Sequence, residues 1–489
     1  MPELTIDDRS DIQGIIFSGY GHLPHTLYLF IQVLDAAKAR QWLGQLIPTI
    51  TTGKPWRQNA DGSRAKPEAA CNIAFTHPGF RALGLPQHTL ETFSREFSEG
   101  MAEPHRSLIL GDTDESSPDH WDIGGPQTDT VHLLLILNGS SLDQLQDWQT
   151  ELFPDSDRGV KLVASESGRR PPKDKEHFGF RDSIAQPIVE GFPTTPPADD
   201  QPVVRTGEFV LGYLNQFDFF PASPAVPSDQ DPGDQLSAYP DAELPGFKDF
   251  GHHGAYLVYR KLSQNVAAFW NFVAQNEQDA EGRPDAPAMT KLASKFVGRW
   301  PSGTPLVLAP EQDDLTIANP NKFTYLPIDR EGLACPVGAH LRRTNPRDSF
   351  LDISPEESLK TSSQHRLIRR GRVYGEPLFP LDDVEKGQPP VEIQDDGQPR
   401  GLHFVCLNSE IGRQFEFVQQ TWANNPRFNT LYDNRDPIIG NNDGSSHMTI
   451  PEQPVRRRIL GMPRFVIVRG GGYFFLPSIK ALCFLANTT

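Results

Sequence analysis

Apolar positions along this chain fall into two alternating rhythms. Ile12 to Phe17 and Thr26 to Val33 are dense in Ile, Leu, Phe and Tyr, the make-up of strands. Ala36 to Ile47 follows with Trp42, Leu43 and Leu46 on one face, the spacing of a helix. Cys71 to Phe75 is a short apolar strand, and Pro78 to Leu83 and Leu90 to Met101 are expected as helices. Val131 to Leu137 is a nearly unbroken apolar run, the pattern of a strand buried on both faces. Ser141 stands as an N-cap for a helix through Phe153. Val160 to Ala164 then returns as a strand.

The alternation resumes further on. Phe209 to Tyr213 and Ala255 to Tyr259 read as strands. Asn265 to Gln275 reads as a helix, with Val266, Phe269, Trp270 and Val273 at helical spacing. Phe404 to Leu407 is a strand and Ile411 to Ala423 a helix. Arg464 to Leu476 is a long strand interrupted by Gly470-Gly471-Gly472, a bulge or bend. A strand–helix pattern that occurs twice predicts two similar α+β domains. Stretches rich in Pro, Gly and Asp (Thr194 to Pro202, Phe220 to Pro245, Asp382 to Pro399) read as loops or insertions. The boundary is placed near Val204, giving an N-terminal domain of residues 1–204 and a C-terminal domain of residues 205–489.

Composition narrows the classes. The chain has 489 residues, 37% hydrophobic and 22% charged, values of a soluble globular protein large enough to bury a core. A net charge of −17 speaks against nucleic acid and anionic membrane surfaces as partners. Arg342, Arg343 and Arg347 are the exception, a local basic patch. The four cysteines are widely spaced and contain no C-x-x-C pair, so neither a zinc knuckle nor a disulfide framework is indicated. Acids near the N-terminus and the absence of a long apolar run predict a cytoplasmic protein. G-x-S-x-G, H-E-x-x-H, Walker A and helix-opening G-x-G-x-x-G patterns are all missing from the sequence.

Three segments carry candidate chemistry. Asp182 sits in His177-Phe178-Gly179-Phe180-Arg181-Asp182-Ser183-Ile184-Ala185-Gln186-Pro187. Its aromatic and apolar flanks disfavour the ionised carboxyl, so its pKa is expected to rise toward a useful acid/base value. The alternative is a helix cap for a helix beginning at Ser183, or a pair with Arg181. His340, one of 14 histidines, lies in Cys335-Pro336-Val337-Gly338-Ala339-His340-Leu341-Arg342-Arg343. Flanked by small and apolar residues, it can donate a ring nitrogen to iron, provided a carboxylate or carbonyl holds the other nitrogen. In Leu367-Ile368-Arg369-Arg370-Gly371-Arg372-Val373-Tyr374, period two sends Leu367 and Arg369 to one face and Ile368 and Arg370 to the other. This segment is either a solvated edge strand or a strand that turns one guanidinium into a pocket.

Together these segments resemble the dye-decolorizing peroxidases, in particular the longer fungal type. The family's G-x-x-D-G motif corresponds to Gly179-Phe180-Arg181-Asp182-Ser183, with serine in place of the last glycine. The resemblance extends to Asp11-Ile12-Gln13-Gly14-Ile15-Ile16, Gly207 to Tyr213, Gly254 to Arg260 and Val468 to Phe475. It implies two ferredoxin-like α+β domains, a duplicated antiparallel sheet with peripheral helices, closing like a dimeric α+β barrel. It also implies one haem b per chain, with hydrogen peroxide and dyes, phenols or other bulky reductants as reactants. His340 takes the role of axial iron ligand, Asp182 of distal acid/base and Arg369 of distal cation, with Arg370 as its competitor. Gly179, Phe180 and Ser183 are expected beside the cofactor. Tyr374 and Trp422 are candidate electron relays, although the helical spacing of Trp422 from Phe415 and Val418 equally suits a core residue. Should His340 not be the ligand, His365 and His177 come next. A haem storage, delivery or sensing protein is the alternative function. Such a protein needs His340 but neither Asp182 nor Arg369.

Overall fold

The computed structural model describes residues 3–58, 64–153, 158–193, 202–240, 245–317 and 321–487. The predicted loop from Thr194 therefore lies outside the described residues except for Pro202. In the first half, strands β1 (His25–Val33), β2 (Ala69–Phe75), β3 (Leu133–Gly139) and β4 (Val160–Arg169) pair antiparallel in the order β2-β3-β1-β4. Helix α1 (Ala36–Leu46) is capped by the Asp35 carboxylate, which accepts from Lys38 N. Helix α2 (Leu142–Leu152) is capped by Ser141, as its position predicted. The second half repeats the plan with β5 (Ala255–Gln264), the short strands β6 (Ile368–Arg369) and β7 (Arg372–Tyr374), β8 (Gly401–Asn408) and β9 (Val466–Leu476). Their order is β9-β5-β8, with β6 and β7 on the far edge of β8.

The two sheets close on each other. Phe475 of β9 pairs with Phe75 of β2, and Val373 of β7 pairs with Arg169 of β4. The result is one closed α+β barrel of two ferredoxin-like motifs, the architecture expected from the resemblance. Period-two alternation fills its interior with Tyr28, Phe30, Leu134, Ile136, Leu257, Tyr259, Val405, Leu407, Phe474 and Leu476. The outer face of the first sheet is covered by α1 and α2, with the last helix (Ile479–Asn487) packed on α1. The outer face of the second sheet looks toward helices Val266–Asn276 and Ala286–Val297 and the insertions that follow them. None of the described helices is long and apolar enough to cross a membrane.

Several expected elements differ. Ile12 to Phe17 is not a strand: it forms a tight helical turn at Gly14–Ile16, and only Gln13 makes a β-bridge, to Thr52. Its apolar residues are buried because the turn packs into the barrel core. A Cβ on Gly14 would stand 2.4 Å from the Tyr20 hydroxyl, so the turn needs glycine there. Phe209 to Tyr213 is likewise buried in turns rather than paired. Leu90 to Met101 breaks into Gln87–Leu90 and Arg95–Glu99. Ile411 to Ala423 is helical but wound as π-helix over Gly412–Glu416 and Val418–Asn424. The bulge expected at Gly470 to Gly472 is present, one residue earlier in a strand that runs Val466–Leu476. The register slips by one residue between Lys261 and Leu262, leaving Arg469 as the extra residue of a bulge.

Closure leaves little room at the β5–β8 seam. A Cβ on Gly401 would lie 1.8 Å from the Leu262 carbonyl oxygen of the neighbouring strand. Gly401→Ala should therefore lower stability by about 2 kcal/mol, the usual cost of forcing a methyl into a packed site. Urea unfolding measures it, and an unchanged midpoint would mean that the seam is open.

Candidate active site

A large internal cavity lies against the outer face of the second sheet. It has two overlapping lobes, which share Arg181, Asp182, His340 and Arg369. Leu262 and Gln264 of β5, Leu402 and Phe404 of β8 and Val466 and Val468 of β9 form one wall. Val297, Phe415, Gln419 and Ile439 form the other. Asp182, Arg369 and His340 keep 40%, 31% and 30% of their side-chain surface accessible. That surface opens into the cavity.

Asp182 is carried by a loop, and no helix follows it. Lys175 and Arg181 pair as a β-bridge, Asp182 N donates to Asp174 O at 2.8 Å, and Ser183 turns the backbone with φ +64°. The cap reading is thereby corrected, as is the pair with Arg181. Arg369 Nη1 donates to Asp182 Oδ1 at 2.7 Å. The expected rise in the Asp182 pKa is also corrected. Burial pushes the carboxyl up, but the Arg369 charge and hydrogen bonds from Ser183 N and Arg369 outweigh it, so the pKa falls below the usual value.

Arg369 reaches the cavity because β6 alternates. Ile368 enters the barrel core, while Leu367 and Arg369 face the cavity. Arg370 goes the other way and donates to the Ile15 and Ile16 carbonyls. Of the two candidate arginines, only Arg369 stands beside Asp182.

His340 opens the short helix His340–Thr344 and shows its Nε2 edge to the cavity, while Nδ1 bonds Asp436 Oδ2 at 2.9 Å. Burial disfavours the imidazolium, but Asp436 more than offsets this, and the His340 pKa is raised. Asp436 is held by Ile438 N and Ile439 N at Oδ1, and its own pKa is lowered despite burial. Sequence reasoning called for a carboxylate behind His340 without finding this one, which lies 96 residues away. The predicted basic patch is not on the surface. Arg342 and Arg343 are fully buried and Arg347 nearly so. Their guanidiniums lie over Tyr325, Phe428 and Phe323 and donate to backbone carbonyls.

Of the remaining predicted residues, Phe180 lines the cavity. Ser183 lines the polar outer cleft that leads to Asp182. Gly179 stands off the wall: its φ is +94° and a Cβ would meet Val384. Tyr374 and Trp422 are both buried and neither lines the cavity. Tyr374 packs 4.8 Å from the His403 ring, whereas Trp422 sits 5.1 Å from His365, which does line it. His177 is buried elsewhere, bonded to the Tyr374 carbonyl.

The cavity suits a flat apolar group with an anionic edge. Phe178, Phe180, Leu262, Phe404 and Val466 make one lobe apolar. Arg299, Arg366 and Asn345 line the other, where the Asn345 Nδ2 and Oδ1 atoms are buried without a protein partner. Burial and neighbouring arginines lower Arg299 and Arg366 to about 9. An anion there would relieve that repulsion. Among the described residues no cluster of three metal-ligating side chains forms, so His340 suits iron carried in a macrocycle rather than a bare ion.

Residues 11–172 match the family model for the DyP dimeric alpha+beta barrel domain. A dye-decolorizing peroxidase of Mycena epipterygia is 30% identical over 98% of this chain and 88% of its own. One from Exidia glandulosa is 28% identical over 97% and 86%. A multifunctional dye peroxidase of Amycolatopsis is 29% identical over 93% and 91%. Among solved structures, an ancestral D-type dye decolorizing peroxidase is 30% identical with a TM-score of 0.72, covering 97% of this chain and 98% of that one. The decolorizing peroxidase from Auricularia auricula-judae is 26% identical with a TM-score of 0.75, covering 98% and 99%.

With Arg369→Leu, only the Ser183 amide bond and the His340 charge still oppose burial at Asp182. The Asp182 carboxyl should then titrate higher than in the unaltered protein. Carbon-13 NMR of the haem-free protein checks this, and an unmoved titration would show that Arg369 is not the controlling charge.

Proposed function

The chain belongs to the dye-decolorizing peroxidases, and from that premise we propose that its cavity holds haem b on His340, with Asp182 and Arg369 as the groups that process hydrogen peroxide. The observation that carries this reading is the Asp182–Arg369 pair, 2.7 Å apart, in the same cavity as a histidine already bonded to a carboxylate. The apolar lobe would take the macrocycle, and the Arg299, Arg366 and Asn345 end would take its carboxylates. A bound haem would supply the redox chemistry, two-electron toward peroxide and one-electron toward reductants.

The protein's part follows from charge and geometry. His340 Nε2 is the ligand atom, and Asp436 keeps the proton on Nδ1 and makes the ring more electron-rich. Asp182 is ionised because Arg369 holds its pKa down, so it can accept a proton from peroxide near neutral or acidic pH. It then returns that proton to the outer oxygen, so that water leaves rather than hydroxide. Arg369 keeps its charge throughout and stabilises negative charge developing in a site walled by apolar side chains. The outer polar cleft beside Ser183 offers small molecules a way to Asp182.

Peroxide and small-molecule or dye reductants are the reactants on this reading. A solved relative is described in complex with 2,6-dimethoxyphenol, 27% identical with a TM-score of 0.71. Tyr374 and Trp422 are at most internal steps of an electron relay, since both are buried. Trp422 links to the cavity wall through His365.

Asp182→Asn should slow the peroxide reaction of the haem-loaded protein about 10²–10⁴-fold. Arg369→Leu should slow it about 10²–10³-fold. Stopped-flow absorbance measures both, and wild-type rates in either variant would remove that residue from the mechanism. His340→Ala should change the iron's spin-state spectrum, and an unchanged spectrum would move the ligand to His365. Because the Asp182 pKa is lowered, protonation of Asp182 itself should not limit the peroxide rate until below the ordinary carboxylate range.

A further inference from the structure

The proposed mechanism leaves a second carboxylate at the cavity wall without a task. Glu176 sits at the base of the loop that ends in Asp182. Its side chain turns back into that loop: Oε1 accepts from Phe180 N at 2.9 Å and Oε2 from Phe178 N at 2.9 Å. Oε2 also accepts from Gln264 Nε2, at 2.6 Å, at the end of barrel strand β5. The backbone closes the same loop, since Glu176 N donates to Phe180 O and Gly179 N to Glu176 O. One carboxylate thus joins two loop amides to the rigid sheet. Glu176 and Asp182 line the same cavity.

We propose that Glu176 is the positioning residue for Asp182, its carboxylate bracing the 176–182 loop against Gln264 so that Asp182 meets Arg369. The inference rests on the reading of Asp182 as the proton acceptor. All three groups that contact Glu176 are N–H donors, so its site needs an acceptor at both oxygens. A carboxamide of the same shape must aim an NH₂ at one of them. Loss of the brace leaves a buried amide unpaired, and the loop can recover that bond only by moving. Burial pushes the Glu176 pKa up to about 7 even with these bonds, which shows how strongly the site desolvates the carboxylate and how much it leans on them. The negative charge of Asp182 adds to the rise.

Glu176→Gln tests this in the full chain, with and without haem. A positioning role and a mere nearby charge predict opposite signs. Removing a negative neighbour alone makes Asp182 easier to ionise, so its pKa falls. Releasing the loop costs Asp182 its Arg369 partner, so its pKa rises. Arg369 and His340 face Asp182 in both proteins, so the comparison isolates Glu176. Carbon-13 titration of Asp182 in the haem-free protein should move up in Glu176→Gln, and a downward or null shift overturns the proposal. In the loaded protein the peroxide rate should fall about 10–100-fold, with the Soret spectrum unchanged. The double variant with Asp182→Asn should be no slower than Asp182→Asn alone, because Glu176 acts through Asp182. Additive losses overturn the proposal. If Asp182→Asn alone costs nothing, the Asp182 reading fails first; if it is slow but Glu176→Gln is not, only the brace fails. Should Glu176→Gln not accumulate, Gln264→Met removes the third bond and leaves both loop amides satisfied. It should shift the Asp182 titration the same way by a smaller amount, and no shift refutes the brace.

Discussion

Strand β5 is hydrogen-bonded along both edges, to β8 over Tyr256–Ser263 and to β9 over Ala255–Gln264. That double pairing joins the strands of the second half into one sheet, whose narrow contacts with β2 and β4 then complete the barrel. It also fixes which side chains look inward. Leu257 and Tyr259 go to the barrel core, and Arg260, Leu262 and Gln264 go to the cavity. A one-residue slip would exchange these sets, placing charge in the core and an aromatic in the cavity. The bulge at Arg469 is where the β9 partner takes up its extra residue, beside glycines that admit a crossing segment.

On that frame the cavity is an electrostatic compromise. Arg260 pairs with Asp112, Arg369 with Asp182, and His340 with Asp436. At Asp182 and His340 the partner outweighs burial and leaves an edge exposed to the cavity, whereas Arg260 and Asp112 are almost wholly buried and burial still raises the Asp112 pKa. The pairing also explains why the Asp182 carboxyl is more acidic than its apolar surroundings suggest. Burial alone would have made it a weak acid that stays protonated. A cation at hydrogen-bond distance reverses the outcome.

The same physics decides how much the sequence disclosed. Strands that pair on both sides, such as Leu133 to Leu137 of β3, announce themselves because every side chain is buried. Yet burial alone produces the same pattern, which is why Ile12 to Phe17 and Phe209 to Tyr213 read as strands when they are packed turns. Alternation around Arg369 was legible, since two faces of a short strand need only period two. The Asp182 loop was legible as a motif but not as a shape, because its form depends on Glu176 and on the positive φ of Ser183. Asp436 and Asn345 carried no local signal. Both act across long sequence separation, against a histidine and a cavity that only the fold assembles. The buried Arg342, Arg343 and Arg347 misled for a related reason: clustered arginines usually mark a surface, and here they stack on aromatics and bind carbonyls.

Duplication then accounts for where the cavity is. The two ferredoxin-like halves offer equivalent outer faces, but they are covered differently. In the first half α2 packs directly on β1 and β3, and α1 fills the rest with the last helix behind it. In the second half the helix after β8 is wound as π-helix, and a long insertion separates β5 from β6. That insertion carries His340, and the segment after the π-helix carries Asp436. The covering elements stand off the sheet, and the gap between them and β5, β8 and β9 is the cavity. A π-helix sets its side chains at a wider spacing than an α-helix, which places Phe415 and Gln419 on the cavity wall and sends Trp422 into the packing behind it. One face of the duplicated fold thus supplies stability by close packing, and the other gives up packing to make room for chemistry.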